Sequence, residues 1–138
     1  MNTYALIAGI IALFATLGHL TIGNQSYYKP LNKSDIDITV KTIFKALFHY
    51  ITGFQVLSSF ILIMIGIRGN GCNFEPLLVL GFIAANYIFW MITQLIIAAK
   101  SPIKGAITKL FQWIFWLLIS VFTILAFIHS WNYINEWV

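Results

Sequence analysis

The chain has 138 residues, of which 60% are hydrophobic and 9% are charged, and its formal net charge is +4. Soluble domains carry about 25% charged residues, so the composition excludes an ordinary water-soluble domain. The eight basic residues are spread along the chain, which excludes the clustered basic face that binds nucleic acid. The apolar residues form four stretches of roughly 20 residues, each long enough to cross ~30 Å of hydrocarbon as a helix. We therefore predict an all-α membrane protein, an antiparallel bundle of four transmembrane helices in one domain.

The predicted spans are residues 4–22, 46–67, 77–99 and 110–128. The first is expected to end at Gly23-Asn24, because both residue types tolerate left-handed backbone geometry. The second is preceded by an amphipathic lead-in over residues 35–45, which would lie at the membrane surface. Its helix is expected to begin at Ser34, since Ser34 and Asp37 have the spacing of a capping box.

Basic residues lie almost entirely on one side of the predicted bundle. The first and third connections, with the helix ends next to them, hold seven lysines: Lys29, Lys33, Lys41, Lys45, Lys100, Lys104 and Lys109. The opposite side holds only Arg68. The positive-inside rule then places the first and third connections in the cytoplasm and both termini outside it, as in a bacterial inner-membrane protein. Residues 69–71 are expected to form a tight turn, and the single cysteine, Cys72, would lie outside the cytoplasm.

Four polar side chains are predicted to form one layer near the cytoplasmic end of the spans. They are His19, His49, Gln94 and Gln112. At 1.5 Å per residue, all four lie within roughly 3 to 8 Å of the same boundary. Small residues mark the faces where membrane helices pack closely, and His19 continues such a stripe of alanines while His49 continues one through Val56 and Ser59. We therefore expect these four residues to bind a ligand.

The residues leave several ligands open. Two imidazoles at equal depth on adjacent helices can bind one transition metal, or one haem iron from opposite sides, and His19 and His49 would then be the ligands. Asp35 and Asp37 would complete a metal site only if the first connection folds back. A pocket for a quinone, a sterol or a lipid headgroup, walled by aromatic side chains, is a further hypothesis. The same four side chains would also serve as plain interhelical hydrogen bonds with no ligand.

Two other classes of function remain open from the sequence. A channel or transporter subunit is one, although no Asp, Glu, Lys or Arg lies within the predicted spans, where proton-coupled transporters usually keep one. A structural subunit of a larger membrane complex is the other, and a short bundle also favours self-association. No nucleophile, carboxylate pair or cofactor motif indicates an enzyme. His129, beside Trp131, is expected at the opposite membrane interface.

Four short motifs occur along the chain in a recognisable order. They are His19-Leu20-x-x-Gly23, Pro30-Leu31, His49-x-x-Thr52 and Gln112-Trp113. This arrangement resembles a group of small, four-helix bacterial membrane proteins without an assigned activity. Members of that group often have an acidic and a basic residue after the glycine, where this chain has Asn24-Gln25. The resemblance supports the layer of histidine and glutamine but does not indicate a charged site in the first connection.

Overall fold

The computed structural model describes residues 1–69 and 76–135, and all regular secondary structure in these ranges is helical. The elements are α1 (Thr3–Gly18), a π-helical segment (His19–Tyr28), α2 (Lys29–Lys33), α3 (Ile38–Arg68), α4 (Pro76–Lys100), α5 (Ala106–Lys109) and α6 (Trp113–Asn135). Of the predicted second connection, only residues up to Gly69 are described. The rest of its turn, Cys72, and the aromatic Trp137 near the C-terminus lie outside these ranges.

Four helices are long and apolar enough to cross a membrane. They are Thr3–Lys33, which joins α1, the π-helical segment and α2, and then Ile38–Arg68, Pro76–Lys100 and Trp113–Asn135. Large apolar side chains such as Phe60, Phe82 and Phe89 are more than half exposed on the outside of these helices, a surface suited to lipid rather than water. The prediction of an all-α, four-helix membrane bundle is confirmed.

The helices form a bundle in which α1 and α6 are central. Helix α1 packs most extensively against α3 and also against α6, while α4 packs against the other side of α6. Helices α3 and α4 approach each other at few positions. A hydrogen bond of 2.7 Å still joins them, between the hydroxyls of Ser58 and Tyr87. The Ser58 hydroxyl donates its hydrogen to the carbonyl oxygen of Gln55 at 3.1 Å, so in the bond between the helices Tyr87 is the donor.

The closest backbone contact is between α1 and α3. The predicted alanine stripe of α1, formed by Ala5, Ala8, Ala12 and Ala15, is buried as expected. One glycine of each helix brings the two backbones together in the N-terminal half of α1. A Cβ atom added to Gly66 would lie 2.7 Å from the backbone N and Cα of Leu6, and one added to Gly9 would lie 2.8 Å from the backbone N of Ile63. Since these neighbours are backbone atoms, they cannot move aside as a flexible side chain would.

Asn2 ties three helices together at the end of the bundle that contains the N-terminus. Its side-chain Oδ1 accepts a hydrogen bond from the backbone N of Ala5 and so caps α1. Its Nδ2 donates to the carbonyl oxygen of Ala126 at 3.0 Å and to Ser130 Oγ at 3.1 Å, both on α6. Its backbone N donates to the carbonyl oxygen of Gly66 on α3. The amide nitrogen and the backbone N–H of this buried residue therefore hold α1 to its two neighbours, while its side-chain oxygen caps α1 itself.

The first helix does not end at Gly23-Asn24, so that prediction was wrong. The chain continues through the π-helical segment into α2 and stays helical to Lys33. Positive φ angles occur, among the described residues, only at Gly69 and Gly105, so neither residue of the pair takes the left-handed conformation that ends a helix. Gly23 is buried beside the rings of His19 and Phe48, where an added Cβ would make ordinary van der Waals contacts at 3.6 Å and 3.7 Å.

Two further helix starts differ from the sequence expectation. Helix α3 begins at Ile38, not Ser34, because Asp37 is its N-cap and accepts a hydrogen bond from the backbone N of Thr39 at 2.8 Å. The lead-in is thus helical only from Ile38. Helix α6 begins at Trp113, so Gln112 precedes that helix. The 31 residues of α3 extend about 46 Å, longer than the ~30 Å of hydrocarbon, and where the bilayer boundary falls along α3 stays a prediction.

Substituting Gly66 tests the close contact between α1 and α3. We expect Gly66→Ala to lower the free energy of unfolding by about 1–3 kcal/mol, because the added Cβ would overlap the backbone of Leu6. Gly53→Ala is the matched control on the same helix, since nothing lies within 4 Å of its added Cβ. Unfolding in mixed micelles of increasing SDS fraction measures both. Equal stability of the two variants would contradict the packing described.

Candidate functional site

A cavity of about 580 Å³ lies at the end of the bundle that carries the first and third connections, here called the lysine-bearing end. It is lined by the end of α1, the π-helical segment, the N-terminal half of α3, the end of α4 and the start of α6. The walls are apolar and aromatic except for a few polar side chains: His19, Tyr27, Gln94, Gln112 and the two indoles of Trp90 and Trp116. Within residues 1–69 and 76–135, no charged side chain lines it.

Three of the four residues predicted to form the polar layer line this cavity. His19 comes from the π-helical segment, Gln94 from α4, and Gln112 from the short break before α6. His49 does not line it. That side chain is exposed on the outside of α3, and its ring is 6.5 Å from that of Tyr28 and 5.8 Å from that of Phe48. The structure therefore brings His19, Gln94 and Gln112 to one cavity and leaves His49 outside it.

The inward position of His49 was expected from a stripe on α3 that runs one residue off the true buried face. Counting back from Ser59 by three residues gives Val56, and by four gives Gln55; a helix of 3.6 residues per turn allows both. In the structure Gln55 is 0% exposed and Val56 is 48% exposed. Hydrocarbon accepts valine and disfavours an amide, so the polar residue takes the interior. The buried face of α3 then includes Phe48 and leaves His49 exposed.

His19 is held by Phe48 through two contacts. The two rings stack with their centroids 4.0 Å apart, and Nε2 of His19 lies 3.2 Å from the carbonyl oxygen of Phe48. Because a carbonyl oxygen only accepts, Nε2 must carry the proton and donate. The imidazole is uncharged, since no carboxylate lines the cavity to offset the cost of an imidazolium. Nδ1 then keeps its lone pair, and nothing in the described part of the chain donates to it.

Gln94 is the centre of a hydrogen-bond network opposite His19, and its orientation is fixed by its partners. The indole Nε1 of Trp116 donates to Oε1 of Gln94 at 2.8 Å. Nε2 of Gln94 donates to the carbonyl oxygen of Leu110 at 3.0 Å and to Oε1 of Gln112 at 2.9 Å. An indole nitrogen only donates and a carbonyl oxygen only accepts, so the oxygen and nitrogen of Gln94 cannot be exchanged.

The same reasoning fixes Gln112. Nε2 of Gln94 is a donor, so the atom of Gln112 that it contacts must be the oxygen. The amide nitrogen of Gln112 keeps two hydrogens, and no described residue accepts them. Of the hydrogen-bonded side chains around the cavity, His19 thus keeps an unused acceptor at Nδ1 and Gln112 an unused donor at Nε2, beside the Tyr27 hydroxyl and the Trp90 indole, which make no hydrogen bond to any described residue. Gln94 has no donor or acceptor to spare for an incoming ligand beyond a second lone pair on its oxygen.

Sequence reasoning missed the tryptophans of this site. Trp116 is buried and supplies the indole that orients Gln94, and Trp90 lines the cavity beside it, 5.4 Å between ring centroids. Their positions could have indicated a role in the site. Tryptophans of membrane proteins are typical of the two interfaces, whereas both of these lie inside predicted spans. A buried indole N–H needs an acceptor, and Gln94 was the nearest polar side chain by depth. Phe48 gave no such signal, because its backbone carbonyl makes the contact.

The residues proposed to complete a metal site are not gathered. No group of three or more His, Cys, Asp or Glu side chains in residues 1–69 and 76–135 is arranged to hold a metal ion. Asp35 and Asp37 are exposed in the first connection. Asp37 is engaged in capping α3, and the hydrogen bonds from Thr39 lower the pKa of its carboxyl group below the usual 3.8. The first connection therefore does not fold back over His19 in the way that a metal site would need.

No protein-family model, curated protein or solved structure matches the chain. The resemblance to small bacterial four-helix membrane proteins therefore stays a prediction.

Two glutamine substitutions compare the contribution to stability of a side chain that is engaged in hydrogen bonds with that of one that is not. Gln94→Leu leaves the Trp116 indole without an acceptor, so we expect it to lower the free energy of unfolding by about 1–2 kcal/mol. Gln55 is the matched control, because its Oε1 and Nε2 are buried and make no hydrogen bond to any described residue. Gln55→Leu removes two unsatisfied atoms and should leave stability unchanged or raise it by about 1 kcal/mol.

Unfolding in mixed micelles measures both variants under the same conditions. A loss of stability in Gln55→Leu as large as that in Gln94→Leu would contradict the bonding pattern described here.

Proposed function

We propose that this integral membrane protein binds a small, neutral and largely apolar molecule in the cavity at its lysine-bearing end. The observation that carries the proposal is the cavity itself. Its volume of about 580 Å³ falls within the ~300–1,000 Å³ of small-molecule sites, which combine apolar and aromatic walls with a few well-placed polar groups. The sequence predicts such a combination for the layer of His19, His49, Gln94 and Gln112, of which all but His49 line the cavity together with aromatic rings from three helices.

The lining supports a neutral ligand. A charged group brought into an apolar cavity loses its hydration and needs a partner of opposite charge. None of the described residues around the cavity supplies one. Anionic lipid headgroups and charged solutes are therefore poor candidates, whereas lipid-soluble molecules with one or two oxygen atoms suit the walls. The sparse contact between α3 and α4 favours entry from the bilayer, since both helices border the cavity.

A metal ion or haem iron held between His19 and His49 has less support. Nε2 of His19 is engaged with the carbonyl oxygen of Phe48, and His49 lies on the outer surface of α3. Ligation by both imidazoles would require α3 to rotate so that His49 replaces Phe48 at the buried face. That rotation would also bring Val56 inside and expose Gln55 to lipid, at the cost of placing an amide in hydrocarbon.

The charge distribution supports an orientation for this site. Seven lysines belong to the end that contains the cavity, and only Arg68 belongs to the other. Short connections rich in lysine stay in the cytoplasm. We therefore propose that the ligand binds in the cytoplasmic half of the membrane, and that both termini face the other side.

Filling the cavity with a side chain tests the proposal. Gly18 lines the cavity, and nothing lies within 4 Å of a Cβ added to it, so Gly18→Leu extends an isobutyl group without a clash at its root. The probe is 2,6-dimethylnaphthalene, measured as saturable retention in protein-containing nanodiscs above matched protein-free nanodiscs. We expect saturable binding by the native chain and a loss of about tenfold or more in Gly18→Leu, equivalent to ~1.4 kcal/mol.

Gly53→Leu is the control, because Gly53 also has open space around its Cβ but lies outside the cavity. It should bind the probe as the native chain does. Absence of saturable retention in the native chain, or equal losses in the two variants, would contradict the proposal.

A further inference from the structure

We propose that the ligand of this cavity carries a hydroxyl group that donates a hydrogen bond to Nδ1 of His19 and a second oxygen that accepts one from Nε2 of Gln112. The inference rests on the proposed function and names the chemical class of the ligand: a neutral, ring-containing molecule with a hydroxyl donor and an oxygen acceptor. Hydroquinones and hydroxylated ring lipids belong to this class, and hydrocarbons, acyl chains and metal ions do not.

The hydroxyl follows from the bonding of His19. The carbonyl oxygen of Phe48 fixes the proton on Nε2 (3.2 Å), and the stacked Phe48 ring (4.0 Å) fixes the plane of the imidazole. An uncharged imidazole has one donor and one acceptor nitrogen. With the donor already used inside the protein, His19 recognises only a group that brings its own hydrogen. A ketone or ether oxygen at this position would face a lone pair.

The second oxygen follows from the network on the opposite wall. Trp116 and the carbonyl oxygen of Leu110 fix Gln94, and Gln94 in turn fixes the oxygen of Gln112. The remaining capacity of Gln112 is its amide N–H pair, which only donates. A ligand oxygen of any kind satisfies it. The two walls therefore bind opposite groups of the ligand: a hydrogen-bond donor on the His19 side and an acceptor on the Gln112 side.

The ring follows from the apolar walls. Trp116 stacks on Tyr87 with centroids 5.6 Å apart, and Trp90 stands edge-on to Trp116 at 5.4 Å. Together with Phe54 these rings hold one another in place, so Trp90 and Trp116 are firm surfaces at the inner end of the cavity. Aromatic faces held in this way pack well against another flat ring. A flexible acyl chain would fill the volume but leave Nδ1 of His19 and Nε2 of Gln112 without partners.

Three naphthalenes of similar shape test the inference in nanodiscs. 6-Methoxy-2-naphthol has a hydroxyl donor and an ether oxygen, 2,6-dimethoxynaphthalene has only acceptors, and 2,6-dimethylnaphthalene has neither. Each hydrogen bond should improve saturable binding by about fivefold, so we expect affinity to fall in that order. His19→Phe should bring the naphthol to the level of the dimethoxy probe, and Gln112→Met should bring the dimethoxy probe to the level of the dimethyl one.

His49→Phe is the matched control for His19→Phe, because His49 lies outside the cavity, and it should leave the order of the three probes unchanged. Binding of the dimethyl probe should be the same in His19→Phe, Gln112→Met and His49→Phe as in the native chain, which shows that the cavity is intact. Equal affinities of the three probes for the native chain would overturn the inference about the hydroxyl while leaving the proposed site standing. Failure of all three to bind saturably would overturn both.

Discussion

The bonding of Gln94 is the interaction on which the lysine-bearing end of this bundle depends. Hydrocarbon offers no partner to an amide or an indole N–H, so a polar group within the membrane is stabilised when the protein supplies its hydrogen bond. Gln94 accepts from Trp116 on α6 and donates to the backbone at Leu110 and to the side chain of Gln112. One side chain of α4 is thereby hydrogen-bonded both to the first turn of α6 and to the short break that precedes this helix. The chemistry left over for a ligand is decided by what these bonds do not use.

The cavity itself arises from a change in residue size along the bundle. Toward the N-terminal end, Ala5, Ala8 and Gly9 of α1 let α3 approach until the backbones touch at Gly66. Toward the lysine-bearing end, α1 gives way to a wider π-helical turn, and phenylalanines of α3 and α6 stand where the small residues would be. Large rings keep the helices apart but cannot fill the space between them. Segments of π-helix are frequent at functional sites, and this one carries His19.

Much of the fold is readable from the sequence because a bilayer imposes simple rules. The length of the apolar stretches and the absence of charge within them predict four helices, and the alanine spacing predicts the buried face of α1. The same logic selects His19, Gln94 and Gln112, since polar side chains at one depth in an oily chain tend to meet. It misplaces His49 because periodicity alone does not distinguish a stripe through Val56 from one through Gln55. Only the preference of lipid for valine over glutamine decides between them.

Other features were beyond the sequence because they depend on three-dimensional contacts. Gly23 and Asn24 form a typical helix stop, yet the helix continues through them, with Gly23 buried beside the rings of His19 and Phe48. The proton position on His19 is set by a backbone carbonyl 29 residues away in the chain, which no motif reveals. The free N–H pair of Gln112 is likewise the end of a chain of bonds that begins at the Trp116 indole. The sequence therefore predicts most of the polar side chains that line the cavity, and the hydrogen bonds among them determine which donors and acceptors stay unused.

The protonation of the His19 ring tests this account most directly. With histidine labelled by ¹⁵N in lipid nanodiscs near neutral pH, the ring signals that disappear in His19→Phe belong to this residue among the three histidines of the chain. We predict a neutral ring with its proton on Nε2 and an unprotonated Nδ1. A proton on Nδ1 alone, or an imidazolium with protons on both nitrogens, would contradict it, because neither form has a lone pair facing a ligand hydroxyl.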